Sequence, residues 1–526
     1  MKRGYFILIL VFLISCKKEN TPVLAGTKSV LDVFQNTKIG IDSLLISKYK
    51  SKDLMLFYKN YNLETVWQSI DHRKIIIQEI ANADIEGLNP KDYNIEKLLD
   101  YENKINNLSE NELVAYDILL TNSLQKYLIH VVKGKLSPRK LYDDWDLKEK
   151  DFDVNKILFE AYSNNKITEA INESKPKQEV YLQLKKALQI INLLPEDYFK
   201  PMSISSKSKI NLNENNALII PVKKRLMYWN YLTKSDTITK KFDAKTQIAL
   251  KEFQVNHGLL ADGIIGSGTI RALNFYKSER KEQIIANLER WRWFPDDFGT
   301  HYTIVNIPDF SILAIKDKDT LINQRVIVGT DKRRSPVLTT KLSYVVFNPT
   351  WTVPPTIIKE DLIPAATRSR GYFKRMRIVI YDTKRNKINP YSWKPENAKK
   401  YSYVQDPGNN NSLGNMKIIF PNKYSVYLHD TNHKDGFSRN SRSLSSGCTR
   451  VERPLELAQY VLNDTIKWNK ETIDSVLVTK KPKNVNITDD IKHYQLYWTA
   501  WSKKNRLIFR DDIYNMDFEL YCKLRN

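Results

Sequence analysis

Tyr424-Ser425-Val426-Tyr427-Leu428-His429-Asp430-Thr431, followed further on by Ser445-Ser446-Gly447-Cys448-Thr449-Arg450-Val451, carries the strongest signal in this sequence. The first stretch alternates aromatic, small and β-branched side chains, a pattern typical of a strand, so His429 is predicted to lie at a strand end. The second stretch places Cys448 directly after Gly447, where the backbone can turn tightly and direct a thiol and free N–H groups at one spot.

A histidine 19 positions before a cysteine (448 − 429) supplies a nucleophile and a base able to accept its proton. The other two cysteines are Cys16 and Cys522, near the two ends of the chain, so a structural disulfide is not expected for Cys448. The alternative is a buried structural cysteine beside an unrelated histidine, which is the usual meaning of an isolated pair.

Both stretches, with the basic and polar loop 434–443 between them, resemble the active-site signature of the L,D-transpeptidases, the YkuD-domain enzymes that cross-link bacterial peptidoglycan. The resemblance implies that Cys448 is the nucleophile, His429 the general base and Arg450 the polar residue that closes the motif. The sequence departs from the common pattern at Ser446, where most members carry a second histidine. The large multidomain YcbB-like branch resembles this chain more closely and also carries serine there.

The same resemblance implies acyl transfer through a cysteine thioester, with release of D-alanine and formation of a 3→3 cross-link. The N–H of Cys448, after Gly447, is the first candidate donor to the oxyanion, and a group of Tyr427 is the second. Asp430 is expected to orient the ring of His429, through either its side chain or its backbone carbonyl. Trp351 and Ser446 are the residues expected to contact the substrate.

Length and net charge limit the number of domains and the class of partner that this chain is expected to have. A chain of 526 residues is expected to form two to four domains. Lys plus Arg number 83 against 60 Asp plus Glu, and the net charge of +23 favours a polyanionic partner such as an acidic wall polymer or anionic lipid. The charge is spread along the chain without an arginine-rich arm, so nucleic acid is not expected as a partner. No cofactor and no metal are expected.

Residues 1–16 are predicted to be a lipoprotein signal peptide. Met1-Lys2-Arg3 is basic, and the apolar run that follows is far shorter than the ~20 residues that span a bilayer. Leu13-Ile14-Ser15-Cys16 resembles a lipoprotein box, which implies lipid on Cys16, with residues 17–40 as a tether. The predicted location is the periplasm, anchored to a membrane, with the outer membrane favoured. The alternative is a plain signal peptide or a short membrane anchor.

Residues 41–235 are predicted to form a helical scaffold domain, because apolar residues recur at helical spacing in segments that end at glycine or proline. Nothing in this region pairs an acid, a base or a nucleophile convincingly. The run from Tyr127 to Trp145 also resembles the N-terminal scaffold of the YcbB-like enzymes.

Residues 236–275 are predicted to form a small helical unit. Its first helix begins at Phe242-Asp243 and has Ile248, Leu250 and Phe253 as its apolar positions. The positions similar to the three-helix peptidoglycan-binding domain are Phe253-Gln254, His257-Gly258-Leu259, Asp262-Gly263-Ile264-Ile265-Gly266, Thr269 and Ala272-Leu273-Asn274. The alternative is an ordinary helical hairpin.

Residues 287–480 are predicted to be a mainly-β catalytic domain, because four strand-like runs separated by turns lie between residues 302 and 347. Asn348-Pro349-Thr350-Trp351-Thr352-Val353-Pro354-Pro355 resembles a segment of the same family. Residues 370–415 match in place its substrate-capping insertion, although a solvated surface loop is the alternative. Residues 481–526 are expected to pack on the catalytic domain. The predicted fold class is multidomain α+β.

The predicted function is therefore a peptidoglycan L,D-transpeptidase whose partners are peptidoglycan stem peptides and glycan. Carbapenem-type inhibitors are expected to acylate Cys448. Two alternatives remain open. One is an L,D-carboxypeptidase that uses water as the acceptor, and the other is a non-catalytic lipoprotein that tethers the membrane to peptidoglycan through residues 236–275.

Overall fold

The computed structural model describes residues 38–408 and 410–526. The predicted signal peptide, Cys16 and nearly all of the predicted tether lie outside these residues. The described chain divides into two compact units, one made of residues 38–81 and 91–125 and the other of residues 82–90 and 126–526. In the described part of the chain, no helix has the length and apolar character needed to cross a bilayer.

The first unit is helical. Its helices are α1 (Ser43–Ser47), α2 (Lys52–Asn60), α3 (Ile70–Ala81), α4 (Ile95–Asn103) and most of α5 (Glu110–Lys133). A buried carboxylate organises its core: Asp117 accepts a hydrogen bond from the Tyr58 hydroxyl at 2.6 Å and from the N–H groups of Val66 and Trp67 at 2.9 and 2.8 Å. Burial raises the pKa of Asp117 to about 6 despite these bonds. A buried carboxylate that accepts several hydrogen bonds from the protein has a structural role, so no catalytic role is needed to explain Asp117.

The second unit begins with a further set of helices. They are α6 (Pro138–Leu141), α7 (Val154–Ser163), α8 (Ile167–Ser174), α9 (Glu179–Leu193), α10 (Ile219–Tyr228), α11 (Ala244–Asn256), α12 (Ser267–Leu273) and α13 (Lys277–Trp293). Residues 287–293 are the last turns of α13 and are buried. Their charges are paired inside the protein, since Arg290 pairs with Asp517 and Arg292 contacts Glu289 at 2.9 Å.

Helices α10, α11 and α12 pack together around an apolar centre. The side chain of Asp243 caps α11 by accepting the Thr246 N–H at 2.8 Å, as predicted for a helix that begins there. The placement of Ile248 on the buried face is wrong: it is 70% exposed, because α11 turns Ala249, Leu250 and Phe253 inward instead. The third helix of the group, α10, precedes residue 236.

The rest of the second unit is built on a large mixed sheet, with strand order β1-β5-β16-β2-β3-β4-β14-β12-β11-β6-β15 and with β13 paired to β4. Its strands are β1 (Trp145–Asp146), β2 (His301–Asn306), β3 (Ser311–Lys316), β4 (Asp319–Gly329), β5 (Val337–Lys341), β6 (Tyr344–Phe347), β11 (Met416–Ile419), β12 (Leu428–His429), β13 (Ser443–Ser445), β14 (Thr449–Val451), β15 (Lys483–Asn486) and β16 (Lys492–Leu496). The C-terminal segment therefore contributes strands to the sheet in addition to packing on it.

Three further helices and a β-hairpin lie in the C-terminal part of the chain. They are α17 (Pro454–Leu462), α18 (Lys470–Val478) and α19 (Asp517–Arg525), with the hairpin β17 (Ala500–Lys503) and β18 (Arg506–Phe509) before α19. Helix α17 begins at Pro454 and ends at Leu462. Proline at the first position is favourable because the N–H that it lacks has no partner within the helix.

Residues 351–405 form a small folded insertion with a core of its own. It contains the sheet β7 (Trp351–Thr352), β10 (Ser402–Gln405), β8 (Ile378–Tyr381) and β9 (Lys387–Ile388), in that order, and the helical segments α14 (Pro355–Ile357), α15 (Ile363–Arg368) and α16 (Gly371–Arg375). Phe373, Trp393 and Tyr403 are among its fully buried residues. Residues 370–405 of the predicted insertion at 370–415 thus belong to a packed subdomain, called the cap below, and its covering of a substrate stays a prediction.

Candidate active site

Strand β12 brings the predicted histidine into the middle of the sheet. It pairs antiparallel with β11, where His429 lies opposite Lys417, and parallel with β14, where His429 lies opposite Arg450. Because the side chains of residues paired directly across strands point to the same side of a sheet, these three side chains share one face. Tyr427 lies two residues before His429, and Cys448 lies two residues before Arg450, so both point to that side, where each affects the pKa of the other. The reactive face consists of Lys417, Tyr427, His429, Cys448 and Arg450.

The ring of His429 is held by a single backbone contact. Its Nδ1 lies 2.5 Å from the carbonyl oxygen of Asp430, and His429 is only 5% exposed. A carbonyl oxygen can only accept a hydrogen bond, so Nδ1 carries the proton and Nε2 has a free lone pair. Of the two ways left open for Asp430 to orient the ring, the geometry therefore uses the backbone carbonyl.

The side chain of Asp430 binds groups other than the His429 ring. Its carboxylate accepts the N–H groups of Thr431 at 2.7 Å and Asn415 at 2.8 Å, and it pairs with Lys434. Gly414 lies so close, at a φ of +57°, that a Cβ there would fall 2.3 Å from the carboxylate. Asp430 thus fixes the loop that carries the carbonyl, which in turn fixes the histidine.

The loop before Cys448 is fixed by hydrogen bonds from two serines. Gly447 has a φ of +110°, and its N–H donates to Ser445 Oγ at 3.2 Å, while that hydroxyl donates to the carbonyl of Cys448 at 2.6 Å. Ser335 Oγ donates to the carbonyl of Gly447 at 2.8 Å. The C=O and N–H of a trans peptide point in opposite directions, so this bond also sets the direction of the Cys448 N–H.

Comparison with known proteins agrees with this geometry. Residues 300–478 match the family described as L,D-transpeptidase catalytic domain. Residues 215–273 match the family described as "Putative peptidoglycan binding domain", and residues 52–188 match the scaffold domain family. The reactive face lies entirely within the first match.

Residues 300–478 are a YkuD-type L,D-transpeptidase catalytic domain. The family prediction made from the motif is confirmed, together with the peptidoglycan-binding and scaffold domains and the α+β fold class.

A Haemophilus influenzae protein (strain ATCC 51907 / DSM 11121 / KW20 / Rd) named "Putative L,D-transpeptidase" is 34% identical over 259 residues, which are 48% of this chain and 52% of that protein. The chain thus spans about half the length of that relative. A crystal structure of the L,D-transpeptidase (residues 123–326) from Xylanimonas cellulosilytica aligns over 56% of this chain and 100% of its own, with 11% identity and a TM-score of 0.18. A fused Zn-dependent amidase/peptidase/peptidoglycan-binding protein from Clostridium acetobutylicum covers 55% of this chain and 99% of its own, with 12% identity and a TM-score of 0.15. At these TM-scores neither structure bears on the fold.

Burial and charge determine the resting protonation of the YkuD domain's Cys–His pair. Burial, the charge of Arg450 and, more weakly, Lys417 and Lys434 lower the pKa of His429 to about 3. Burial raises the pKa of Cys448 to about 11, although hydrogen bonds from Tyr427 and the charge of Arg450 oppose this rise. Both groups are therefore neutral in the resting protein.

The rate at which iodoacetamide alkylates Cys448 is expected to depend steeply on pH. Only the thiolate reacts, and below a pKa of about 11 its fraction rises about tenfold per pH unit. The rate should therefore still be increasing at pH 9. It is measured by mass spectrometry of the Cys448 peptide, so that Cys522 does not contribute. A rate that is constant from roughly pH 5 to 8 would instead indicate a thiolate–imidazolium pair.

The remaining predicted site residues of the YkuD domain lie near its cap. Trp351, in the cap strand β7, lies close enough to Tyr427 to oppose the rise that burial causes in the pKa of Tyr427. Ser446 is exposed, and its Oγ accepts a hydrogen bond from Arg333 Nη1 at 2.9 Å. Arg333 also pairs with Asp361 at 2.6 Å and Glu360 at 2.8 Å, both in the cap. Contact of Trp351 and Ser446 with substrate stays a prediction.

Sequence reasoning missed the residues that support the motif from other strands. Lys417 lies with its ammonium 5.3 Å from the centre of the Tyr427 ring. Ser335 is held by the Gly329 N–H, which donates to its Oγ at 2.9 Å, and by its own N–H, which donates to the Tyr514 hydroxyl at 3.0 Å. None of them belongs to the motif, and no local pattern marks them. In the described residues, no group of three or more His, Cys, Asp or Glu side chains is arranged to hold a metal ion.

Proposed function

We propose that this chain is a peptidoglycan L,D-transpeptidase that forms 3→3 cross-links through a thioester on Cys448. The observation that carries the proposal is the free lone pair of His429 Nε2 on the same sheet face as the Cys448 thiol, beside a Cys448 N–H whose direction is fixed. A base, a nucleophile and an oriented oxyanion donor are the parts that acyl transfer needs.

In the first half-reaction, His429 Nε2 takes the thiol proton as Sγ attacks the carbonyl of the third residue of a tetrapeptide stem. The charge that develops on the carbonyl oxygen is stabilised by the Cys448 N–H and the Tyr427 hydroxyl. The C–N bond to D-alanine then breaks, and the departing amine takes the proton back from His429. The products are a thioester and free D-alanine.

In the second half-reaction, an amine on a neighbouring stem attacks the thioester. His429 accepts the proton of that amine, the new amide forms, and Cys448 leaves as the thiol. Water must be kept out while the amine is admitted. The cap supports this requirement, because it packs as a separate subdomain and is joined to the cysteine loop through Arg333 and Ser446.

The other expectations fit the same proposal. Peptidoglycan stem peptides are the substrate, glycan is a partner of the residues matched to the peptidoglycan-binding family, and the chain acts outside the cytoplasm, where that polymer lies. Carbapenem-type acylation of Cys448 belongs to the proposal as well. The lipid on Cys16 and the choice of membrane stay predictions.

The decisive experiment incubates the protein with disaccharide-tetrapeptide and weighs the products by mass spectrometry. A dimer lighter than two monomers by one D-alanine supports transpeptidation. Tripeptide monomer alone would show that water is the acceptor and that the chain is an L,D-carboxypeptidase. Absence of both products, from protein whose Cys448 still reacts with iodoacetamide, would favour a non-catalytic peptidoglycan-tethering protein.

Ser335→Ala is expected to slow acylation of Cys448 by roughly ten- to a hundredfold, somewhat less than removal of an oxyanion donor itself. The reason is that the Gly447–Cys448 peptide loses the bond that orients it. Alkylation by iodoacetamide forms no oxyanion and should be unchanged, which separates orientation of the N–H from a general loss of thiol reactivity. Ser335→Thr keeps the hydroxyl and should restore acylation. Equal slowing of acylation and alkylation would contradict the assignment.

A further inference from the structure

Two cations on the reactive face lack anionic partners. Within the described chain, neither Lys417 nor Arg450 has a hydrogen-bond or ion-pair partner, and Arg450 Nε is buried and unbonded. Both residues are half-buried. Other arginines of the same domain are paired, such as Arg325, which contacts Glu452 with Nε at 2.9 Å, and Arg333 with the cap acids. Lys417 and Arg450 are distinguished by being half-buried on the reactive face without such a partner.

Their placement is symmetrical about the histidine. Lys417 faces His429 from β11 and Arg450 faces it from β14, so one cation lies on each side of β12. Both are close enough to Cys448 to influence its charge, and burial lowers the pKa of each cation. A partly buried cation without a counter-charge is unfavourable unless a ligand supplies the charge. An anionic group of the substrate would supply the counter-charge that both cations lack.

We propose that Lys417 and Arg450 form a carboxylate subsite that binds the free C-terminal carboxylate of the donor stem, on the residue that is expelled. This rests on the proposed function, because it assumes that Cys448 attacks the amide bond preceding that residue. Arginine and lysine are the side chains that bind carboxylates with charge-assisted hydrogen bonds.

The length of the leaving group selects this carboxylate over others. In the expelled residue, three bonds separate the attacked carbonyl carbon from the carboxylate carbon, a span of about 4 Å at most. A carboxylate at that distance from the attacked carbonyl stays close to the reactive face on which both cations lie. The subsite thereby selects donors in which the expelled residue is the last one.

The test compares a disaccharide-tetrapeptide donor with the same donor carrying a C-terminal amide. Acylation of Cys448 is followed by mass spectrometry under single-turnover conditions, for wild type, Lys417→Gln and Arg450→Gln. Wild type is expected to prefer the acid by about tenfold or more, because only the acid can pair with the cations. In either variant the ratio of the acid rate to the amide rate should fall towards one, in addition to any slowing of both donors that follows from losing a positive charge near Cys448.

The matched control is Lys423→Gln. Lys423 lies 5.2 Å from the centre of the Tyr424 ring, much as Lys417 lies over Tyr427, but it is exposed and away from the reactive face. This variant should keep the wild-type preference. Lys417→Arg preserves the charge and should keep most of it, which guards against loss of folding in Lys417→Gln.

Three results would overturn the subsite. The first is a wild type that acylates equally fast with acid and amide, which needs no variant to fold. The second is a preference for the acid that survives both substitutions. The third is equal slowing of acid, amide and iodoacetamide alkylation in the variants, which would mean that the cations stabilise the thiolate instead. Failure of wild type to acylate with either donor, while alkylation proceeds, would overturn the proposed function and the subsite with it.

Discussion

Cys448→Ala is expected to abolish every covalent product of this chain. Among the described residues, Cys448 carries the thiol of the reactive face, which also holds the unprotonated Nε2 of His429. The rate of acyl transfer should fall by at least about 10³-fold, leaving only what binding and the oxyanion donors can supply. The measurement is the mass of the intact protein after exposure to a carbapenem or to tetrapeptide donor, with the dimer assay in parallel.

The matched control is Cys522→Ala. Cys522 is also a free, half-buried thiol, but it lies in α19. This variant should retain the adduct and the dimer at wild-type rates. An adduct that persists in Cys448→Ala, or one that disappears in Cys522→Ala, would mean that the nucleophile has been misassigned.

His429→Gln is expected to have the second largest effect, lowering the rate of acyl transfer by about 10²- to 10⁴-fold. Glutamine can still donate to the Asp430 carbonyl, but it has no group able to take the thiol proton. Because both members of the pair are neutral at rest, the histidine is needed during the attack rather than to maintain a thiolate. The rate of alkylation at high pH should therefore change far less than the rate of acylation.

His433→Gln provides the comparison for this variant. His433 is an exposed histidine four residues along the same loop, and its replacement should leave acyl transfer unchanged. Both variants are compared by initial rates of D-alanine release. If His433→Gln were the inactive one, the base would have to be reassigned and the argument from the Nδ1 contact would fail.

The sequence was sufficient to predict a Cys–His pair but not its surroundings. His429 and Cys448 lie in a short local pattern that survives without any knowledge of the fold. Lys417, Ser335 and Tyr514 reach the same place only through strand pairing and loop contacts, and each looks ordinary among its neighbours in sequence. The direction in which the pKa of Cys448 shifts could be derived only from the structure. It depends on burial, which the spacing of residues in the sequence does not show.

The cap illustrates a second limit. Its buried residues Phe373, Trp393 and Tyr403 are far apart in a stretch dominated by basic and polar side chains, so no helical or strand period emerges. Ile248 shows the reverse case: its hydrophobicity suggested burial, whereas small Ala249 occupies the inner face of α11. In both cases the packing between secondary-structure elements determines which residues are buried, and a single sequence does not show that packing.

The position of β16 has a consequence for how this protein is made. The strand lies between β2 and β5 in the sheet. Its Lys492 pairs with Tyr302, which lies far earlier in the chain. Gln495 in this strand accepts a hydrogen bond from Thr449 at 2.8 Å, and Tyr514 supports Ser335 beneath the Gly447 carbonyl. Pairings between such distant segments form late, because a long loop must close before they stabilise anything. During synthesis the thiol therefore acquires its oriented surroundings only after these last segments have emerged, so a nascent or truncated chain carries Cys448 as an ordinary, unactivated cysteine.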